Sequence, residues 1–426
     1  MKPAMIINLK HSLMQFFSPE NMLHQAKNTG FLQRLRDIAP FHLVGALVAA
    51  LSQSHCSSIA VLHRQFNGMQ LSTNDFVSYK PFHNQLRKPA FVRFMKALTQ
   101  QAIARFVSER IAIIPKKLQQ FEQIILHDGT SFAIHQGLSD DFPSRFHTRF
   151  PAAVECHLSL SLFDQQPLTM AVSADTTSEQ HYLPAAETLQ GKLLLADAGY
   201  LNIGYFASIT ENRGSFLVRG KDNLNPQITG AWNGQGKPLK RLPGLNLKDL
   251  TRRKCRSEVT DIDVKWKNYA CRIIRRWFAE EKRFCCWVTN LSREEFSADE
   301  VMSLYRCRWQ IELFFKELKS STNLKGFVTR QKAIAEGLIW ASLLTAVVRR
   351  HMASSCQPEI SFQKMAGNVD VWFLPVIQAL LHRALSELEQ RLEWAMQYLA
   401  GNARPAGQKK RCQDKSLRGV FAMFNA

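Results

Sequence analysis

Cysteines at metal-binding or redox spacing are missing from this chain of 426 residues. Its nine cysteines are scattered and odd in number, with Cys285 and Cys286 adjacent and no CxxC. That distribution argues against a disulfide framework and a zinc site, and it suits a reducing compartment. His127, His135, His147 and His157 do not stand at a metal-ligand spacing either. Neither a Walker loop nor a dinucleotide fingerprint occurs, which argues against ATP and NAD chemistry. Long apolar runs are absent. The most apolar stretch, residues 338–348, is too short to span a bilayer and ends in Arg349-Arg350. No N-terminal signal peptide or basic amphipathic anchor is recognisable.

Acid is scarce. There are 35 Asp and Glu against 55 Lys and Arg, a net charge of +20, and an excess of this size points to a polyanionic partner. Half of it lies in residues 219–283, where 17 basic residues face 7 acidic ones, a net of +10. Hydrophobic content of 46% without biased tracts marks a globular chain long enough for two or three domains and a large core.

Residues 1–115 read as helical, with starts at Pro19-Glu20, Ala39, Ser57, Ser78 and, after the break at Pro89, Phe91. The helix opened by Ser78 carries Lys80, His83, Asn84 and Arg87, which can reach phosphates or base edges. A helix-turn-helix-like module and an ordinary bundle fit equally. The periodicity changes at Phe121. FEQIILHDGTSFAIH reads as a strand carrying Asp128, VECHLSLSLFD as a half-buried strand, and LTMAVSAD as a third. Residues 179–190 predict a helix closed by Gly191, LLLADAGY a buried strand with Asp197 at its end, 202–212 a helix, and GSFLVRG a fifth strand. Residues 223–243, rich in Gly, Pro and Asn, read as turns or a flexible loop, followed by strands at 257–266, 269–278 and 283–291.

Residues 297–326, SADEVMSLYRCRWQIELFFKELKSSTNLKG, predict one long helix. Ser297 and Glu300 can form a capping box, and nothing breaks the pattern before Gly326. At roughly 100° per residue, Tyr305, Arg308, Glu312 and Lys319 share an arc about 60° wide, beside an apolar flank of Leu304, Ile311, Phe315 and Leu318. Such a row is more often a solvated salt-bridge face than a site.

The spacing Tyr305-x2-Arg308-x3-Glu312-x6-Lys319, with Trp309 after the arginine, resembles the Tyr-Arg-Glu-Lys signature of bacterial insertion-sequence transposases of family four, in the DDE group. The resemblance requires two aspartates upstream, each at the end of a buried strand, and Asp128 and Asp197 meet it. It implies an α+β protein: an RNase H-like mixed-sheet catalytic core with a β-rich insertion, an all-helical N-terminal DNA-binding domain and a helical C-terminal region. The expected boundaries are 1–115 for DNA binding, 116–218 for the first part of the core, 219–291 for the basic insertion, 292–352 for the signature helix and the next, and 353–426 for the C-terminal helices and a basic tail (Arg404, Lys409, Lys410, Arg411, Lys415, Arg418).

Asp128, Asp197 and Glu312 would then be catalytic and hold two Mg²⁺ ions, with Mn²⁺ as a substitute. Tyr305, Arg308 and Lys319 would bind DNA phosphates. Trp287 is the favoured candidate among four tryptophans for stacking a flipped base, against the competing reading of a core residue. Implied partners are double-stranded DNA, as terminal inverted repeats and target, and a second copy in a synaptic homodimer. The implied place is the bacterial cytoplasm, at the nucleoid. Alternatives are another RNase H-like nuclease and an inactive DNA-binding relic or repressor.

Overall fold

Alternate residues of the central strands face two different apolar layers, and this double burial sets the architecture. The computed structural model describes residues 3–34, 37–53, 56, 58–106, 114–251, 255–266, 268–322, 324, 329–355, 360–404 and 417–424. Six helices come first: α1 (Pro3–Phe16), α2 (Pro19–Asn28), α3 (Pro40–Ser52), α4 (Ile59–Gly68), α5 (Tyr79–Leu86) and α6 (Pro89–Arg105). Prolines at the start of α2, α3 and α6 sit where a missing N–H costs nothing.

Strands β1 (Gln123–Ala133), β2 (Ala153–Ser161), β3 (Pro167–Ala174) and β4 (Lys192–Ala196) follow, then α7 (Ile203–Glu211) and β5 (Ser215–Arg219). The insertion gives β6 (Gln227–Asn233), β7 (Val259–Trp266), β8 (Tyr269–Phe278) and β9 (Arg283–Thr289). All nine strands form one mixed sheet in the order β3-β2-β1-β4-β5-β9-β8-β7-β6. β1 and β4 are parallel, as are β4 and β5, and the remaining pairs are antiparallel. The segment expected as a basic insertion, 219–291, is therefore continuous with the rest of the sheet through the pairing of β5 with β9.

After β9 come α8 (Ala298–Arg306), α9 (Trp309–Ser321) and α10 (Lys332–Ser354). The chain ends with α11 (Phe362–Met365), α12 (Val369–Trp372), α13 (Leu374–Leu381), α14 (Leu385–Asn402) and α15 (Leu417–Met423). On β4, Leu193 and Leu195 join the layer under α8, α9 and α10, while Leu194 and Ala196 join the layer under α7. The first layer is continuous with the N-terminal helices, from Phe16 and Phe94 through Trp340 to Leu126. At Gly337 of α10 an added Cβ would lie 2.3 Å from the Phe91 ring of α6, so these helices meet backbone to ring. Among the described residues no helix is long and apolar enough to cross a membrane.

Four expectations need correction. Residues 179–190 form two short 3₁₀ turns, Glu179–Tyr182 and Ala186–Leu189, because Pro184 withholds an N–H and leaves Leu183 extended (φ −59°, ψ 142°). β6 lies inside the supposed loop 223–243, held by pairing with β7. β2 is buried on both faces: its polar face carries Glu155, His157 and Ser159, with His157 stacked on Tyr182 at 3.7 Å and hydrogen-bonded to Ser173. The long signature helix is two helices, as described below. Most of the basic tail, and Gly326, lie outside the described residues.

One buried ion network fastens α9 to α10. Glu317, 4% exposed, accepts from Arg349 Nη2 at 3.0 Å and from Arg350 Nε and Nη2 at 3.0 and 2.8 Å. Arg350 also donates to the Gln165 carbonyl in the β2–β3 turn at 2.6 Å, and Arg349 to the Ser321 carbonyl at 2.8 Å. Removing the carboxylate strands two buried cations. Glu317→Ala is expected to cost about 3–5 kcal/mol, read as a lowered midpoint in denaturant unfolding. An unchanged midpoint would show that α9 is held by apolar packing alone.

Candidate active site

Parallel pairing brings the two aspartates together. β1 and β4 run in register from Gln123 opposite Lys192 to His127 opposite Ala196, and there the pairing stops. The next residues on the two strands are Asp128 and Asp197. β1 continues to Ala133 against β2 alone, so Asp128 sits within its strand, at the point where the parallel partner leaves, rather than at the strand end. Asp197 does stand just past the end of β4. Both are half-buried where the parallel pairing of β1 and β4 ends, on the carboxyl side at which open α/β sheets place their ligands.

α8 and α9 close the third side. The capping box forms, Ser297 Oγ accepting from the Glu300 N–H and Glu300 Oε2 accepting from the Ser297 N–H. The helix then tightens at Cys307 and Arg308, where successive bonds span three residues: Cys307 N to Leu304 O, Arg308 N to Tyr305 O, Gln310 N to Cys307 O and Ile311 N to Arg308 O, all 3.0–3.1 Å. Both residues keep right-handed helical angles, so the chain is overwound rather than broken. A 3₁₀ step turns side chains by about 120° per residue instead of 100°, which displaces Arg308 from the arc a regular helix would give.

Tyr305, Arg308 and Lys319 reach the strand residues directly, and Glu312 is joined to them through Arg308. The Tyr305 hydroxyl donates to Asp197 Oδ1 at 3.3 Å. Arg308 Nη1 donates to Asp128 Oδ2 at 2.8 Å, and its Nη2 to Glu312 Oε1. Lys319 Nζ donates to the Ser131 carbonyl on β1 at 2.9 Å. One guanidinium therefore ties the strand carboxylate to the helix carboxylate.

The electrostatics follow from this crowding. Burial pushes the Asp128 carboxyl up to about 6, opposed by Arg308 and the Gly129 N–H and assisted by the charges of Asp197 and Glu312. Burial lowers the Arg308 pKa, but Tyr305, Asp128, Glu312 and Asp197 outweigh it and leave a permanent cation. Tyr305 is raised by burial, with Arg308 opposing, so its phenol stays protonated as a donor. His127, behind Asp128, is held neutral by burial, at about 3.

Three carboxylates on two strands and a helix are hard oxygen donors of the kind Mg²⁺ takes. In this geometry Arg308 holds Asp128 and Glu312 on its own two nitrogens. Among the described residues no three acidic, His or Cys side chains converge closely enough to grip an ion. The donor set fits a divalent cation in type, and the cationic group that now joins it is Arg308.

Neighbouring residues passed over in the sequence complete the site. Glu155, in an otherwise uncharged strand, extends its Oε1 to within 2.6 Å of where a Cβ on Gly129 would lie, beside Asp128; glycine leaves that space open. Burial, with Glu179 and Asp175, raises Glu155 to about 7 against the opposing Arg145. Arg145 Nη2 donates to Glu155 at 2.5 Å and Nη1 to Glu179 at 2.9 Å, while Asp175 accepts from the Arg145 N–H at 2.9 Å. The Tyr200 hydroxyl, 1% exposed, lies among these carboxylates without a hydrogen-bond partner. A lone Glu inside VECHLSLSLFD was the available signal.

Trp287 needs correction. It is 6% exposed, packed edge-on to Tyr305 at 6.3 Å with Arg219 over its ring at 5.5 Å, and its indole N–H has no partner. It supports Tyr305 from behind and offers no open face to a base.

Comparison with known proteins gives the family. The family model described as Transposase DDE domain matches residues 119–348, which hold all three carboxylates and the whole signature. The chain is 39% identical over 75 residues to the transposase for insertion sequence element IS421 of Escherichia coli, covering 18% of this chain and 19% of that protein. The match thus spans about a fifth of the length of the Escherichia coli relatives. To the transposase for insertion sequence element IS1151 of Clostridium perfringens it is 20% identical over 420 residues, 86% of each chain. Among solved structures, a piggyBac transposase synaptic complex with hairpin DNA superposes with a TM-score of 0.48 at 10% identity, covering 97% of this chain and 88% of that one. With more than half its length matched, and the matched part carrying the site, this chain belongs to the transposase DDE domain family.

Proposed function

We propose that the protein is a cut-and-paste transposase of the family-four insertion-sequence type, which binds the ends of its own element, hydrolyses the phosphodiester there and joins the ends to target DNA. The observation that carries this is the linked set in which Tyr305 bonds Asp197 and Arg308 bonds both Asp128 and Glu312, where the β1–β4 pairing ends against the α8–α9 junction. The order of β1 to β5 supports an RNase H-like core, and the expected domain boundaries form part of this reading.

Asp128, Asp197 and Glu312 would hold two Mg²⁺ ions, or Mn²⁺, which supply activation of the attacking oxygen and stabilisation of the leaving one. Arg308 offers a phosphate the same two-pronged contact it now makes with two carboxylates. Tyr305, neutral, hydrogen-bonds a phosphate oxygen or holds Asp197 in place. Lys319 sits further along the rim as a point charge for the backbone.

DNA is the polyanion that the charge calls for. Lys80 and Asn84 are exposed on α5 with Arg87 exposed at its C-cap, and Lys237, Lys240, Arg241 and Lys248 are exposed on the insertion. We place these on terminal repeats and flanking DNA, in a synaptic homodimer in the bacterial cytoplasm.

Strand cleavage and joining on a duplex carrying the element's ends, with Mg²⁺, tests the proposal. Glu312→Gln is expected to lower cleavage at least about a hundredfold while DNA binding survives, and chelation should abolish cutting of the wild type. Undiminished cutting by the variant would remove Glu312 from the chemistry, and cleavage without joining would point to a nuclease. Arg308→Lys keeps the charge and loses the fork; we expect a fall of roughly tenfold to a hundredfold in cleavage rate, about 1.4–2.7 kcal/mol. Equal rates would show that charge alone suffices.

A further inference from the structure

The turn between β1 and β2 presents the arrangement SRFHTRFP, in which an Arg-Phe pair recurs after four residues. Phe146 is 68% exposed and Phe150 44% exposed, and Arg145, His147 and Arg149 beside them are also exposed. No acidic residue occurs from 143 to 154. Burying either ring would be worth about 1.5–3 kcal/mol, so two exposed together on one turn mark a surface kept for contact.

The turn is built rather than loose. The Pro143–Ala152 bridge closes it, and the Arg149 and Phe150 N–H groups both donate to the Phe146 carbonyl at 2.9 Å. Its base is pinned by Arg145 to Glu155, Glu179 and the Asp175 carbonyl, and by Ser144 Oγ to Asp175 at 3.4 Å. These anchors reach the candidate active site. Glu155 lies against Gly129 beside Asp128, and Ser131, whose hydroxyl donates to Asp175, accepts from Lys319 through its carbonyl. Two aromatic rings, with the Arg149 guanidinium over that of Phe150 at 5.4 Å, are thus held by the Arg145 anchor at the Lys319 side of the carboxylates.

We infer that Phe146 and Phe150 form a stacking platform for unpaired bases of DNA near the cleavage site, with Arg149 on the adjoining phosphate. This rests on the proposed DNA-cleaving function and deepens it. Aromatic rings flanked by cations fit single-stranded nucleic acid, whose bases expose their faces once unpaired. A fully paired duplex offers these rings nothing, so the platform should discriminate between the two.

The test uses the full chain, without metal, and fluorescence anisotropy with two probes: a fully paired duplex and the same duplex with a short central run of mismatches. Wild type is expected to bind the mismatched probe about tenfold more tightly. Phe146→Ala/Phe150→Ala should erase that preference with paired-duplex affinity unchanged, and Phe146→Tyr/Phe150→Tyr should retain it. Both positions are exposed, so neither variant disturbs the core, and an unchanged unfolding midpoint verifies this. A wild-type preference that survives in the alanine variant overturns the platform, as does no preference in the wild type. Loss of self-association with the preference intact also overturns it and assigns the rings to a second copy of the chain. Failure of the wild type to bind either probe sinks the transposase reading along with the platform.

Discussion

In the proposed site helix α9 presents Glu312 toward two aspartates on a sheet, and the grip on Glu317 fixes the rotation of that helix. The two residues lie five positions apart, so they leave the helix in different directions, one toward the strands and one toward α10. Apolar packing through Ile311, Phe314 and Leu318 buries the helix but tolerates a rotation about its axis. The bonds from Arg349 and Arg350 to Glu317 do not, because each has a direction as well as a distance. Arg350 then reaches Gln165 between β2 and β3, which ties the helix pair to the sheet it serves.

A comparable network fixes the entry to α8. Arg272 of β8 pairs with Asp261 of β7 and donates to the carbonyls of Leu291, Ser292 and Phe296, the segment leading into the helix. Arg293 joins the same aspartate and lies over Trp232 of β6 at 3.6 Å. The insertion is therefore more than a basic surface. Its buried ion pairs set where the signature segment begins, and those of α10 set where it ends. Buried charges of this kind contribute little net stability, and their use here is in orientation.

The parts legible in the sequence were those fixed by local chemistry. The Ser297–Glu300 box, the apolar strand run before Asp128 and the short apolar run before Asp197 all depend on near neighbours, and the structure has each of them. What escaped depends on partners far along the chain. β6 exists because β7 pairs with it, despite its glycine- and proline-rich flanks. Glu155 gained a role only once folding set it beside Gly129, and Trp287 lost one once Tyr305 covered its edge. The single long helix failed for a subtler reason: composition permits an uninterrupted helix, and a tightened turn at Cys307–Arg308 leaves no glycine or proline to announce it.

That tightened turn leads to the electrostatic problem at the centre of the site. Burial raises Asp128, Arg308 opposes that rise, and the charges of Asp197 and Glu312 add a smaller upward push. Arg308, at the overwound turn, joins Asp128 and Glu312 with its two terminal nitrogens. The group best suited to clamp a phosphate is thus also the one that lets the carboxylates assemble before any substrate arrives. Engaging DNA would draw Arg308 away from one role into the other. The carboxylates it leaves would then need other positive charge to stay together, so occupancy by cations and engagement of the phosphate backbone become linked through one side chain.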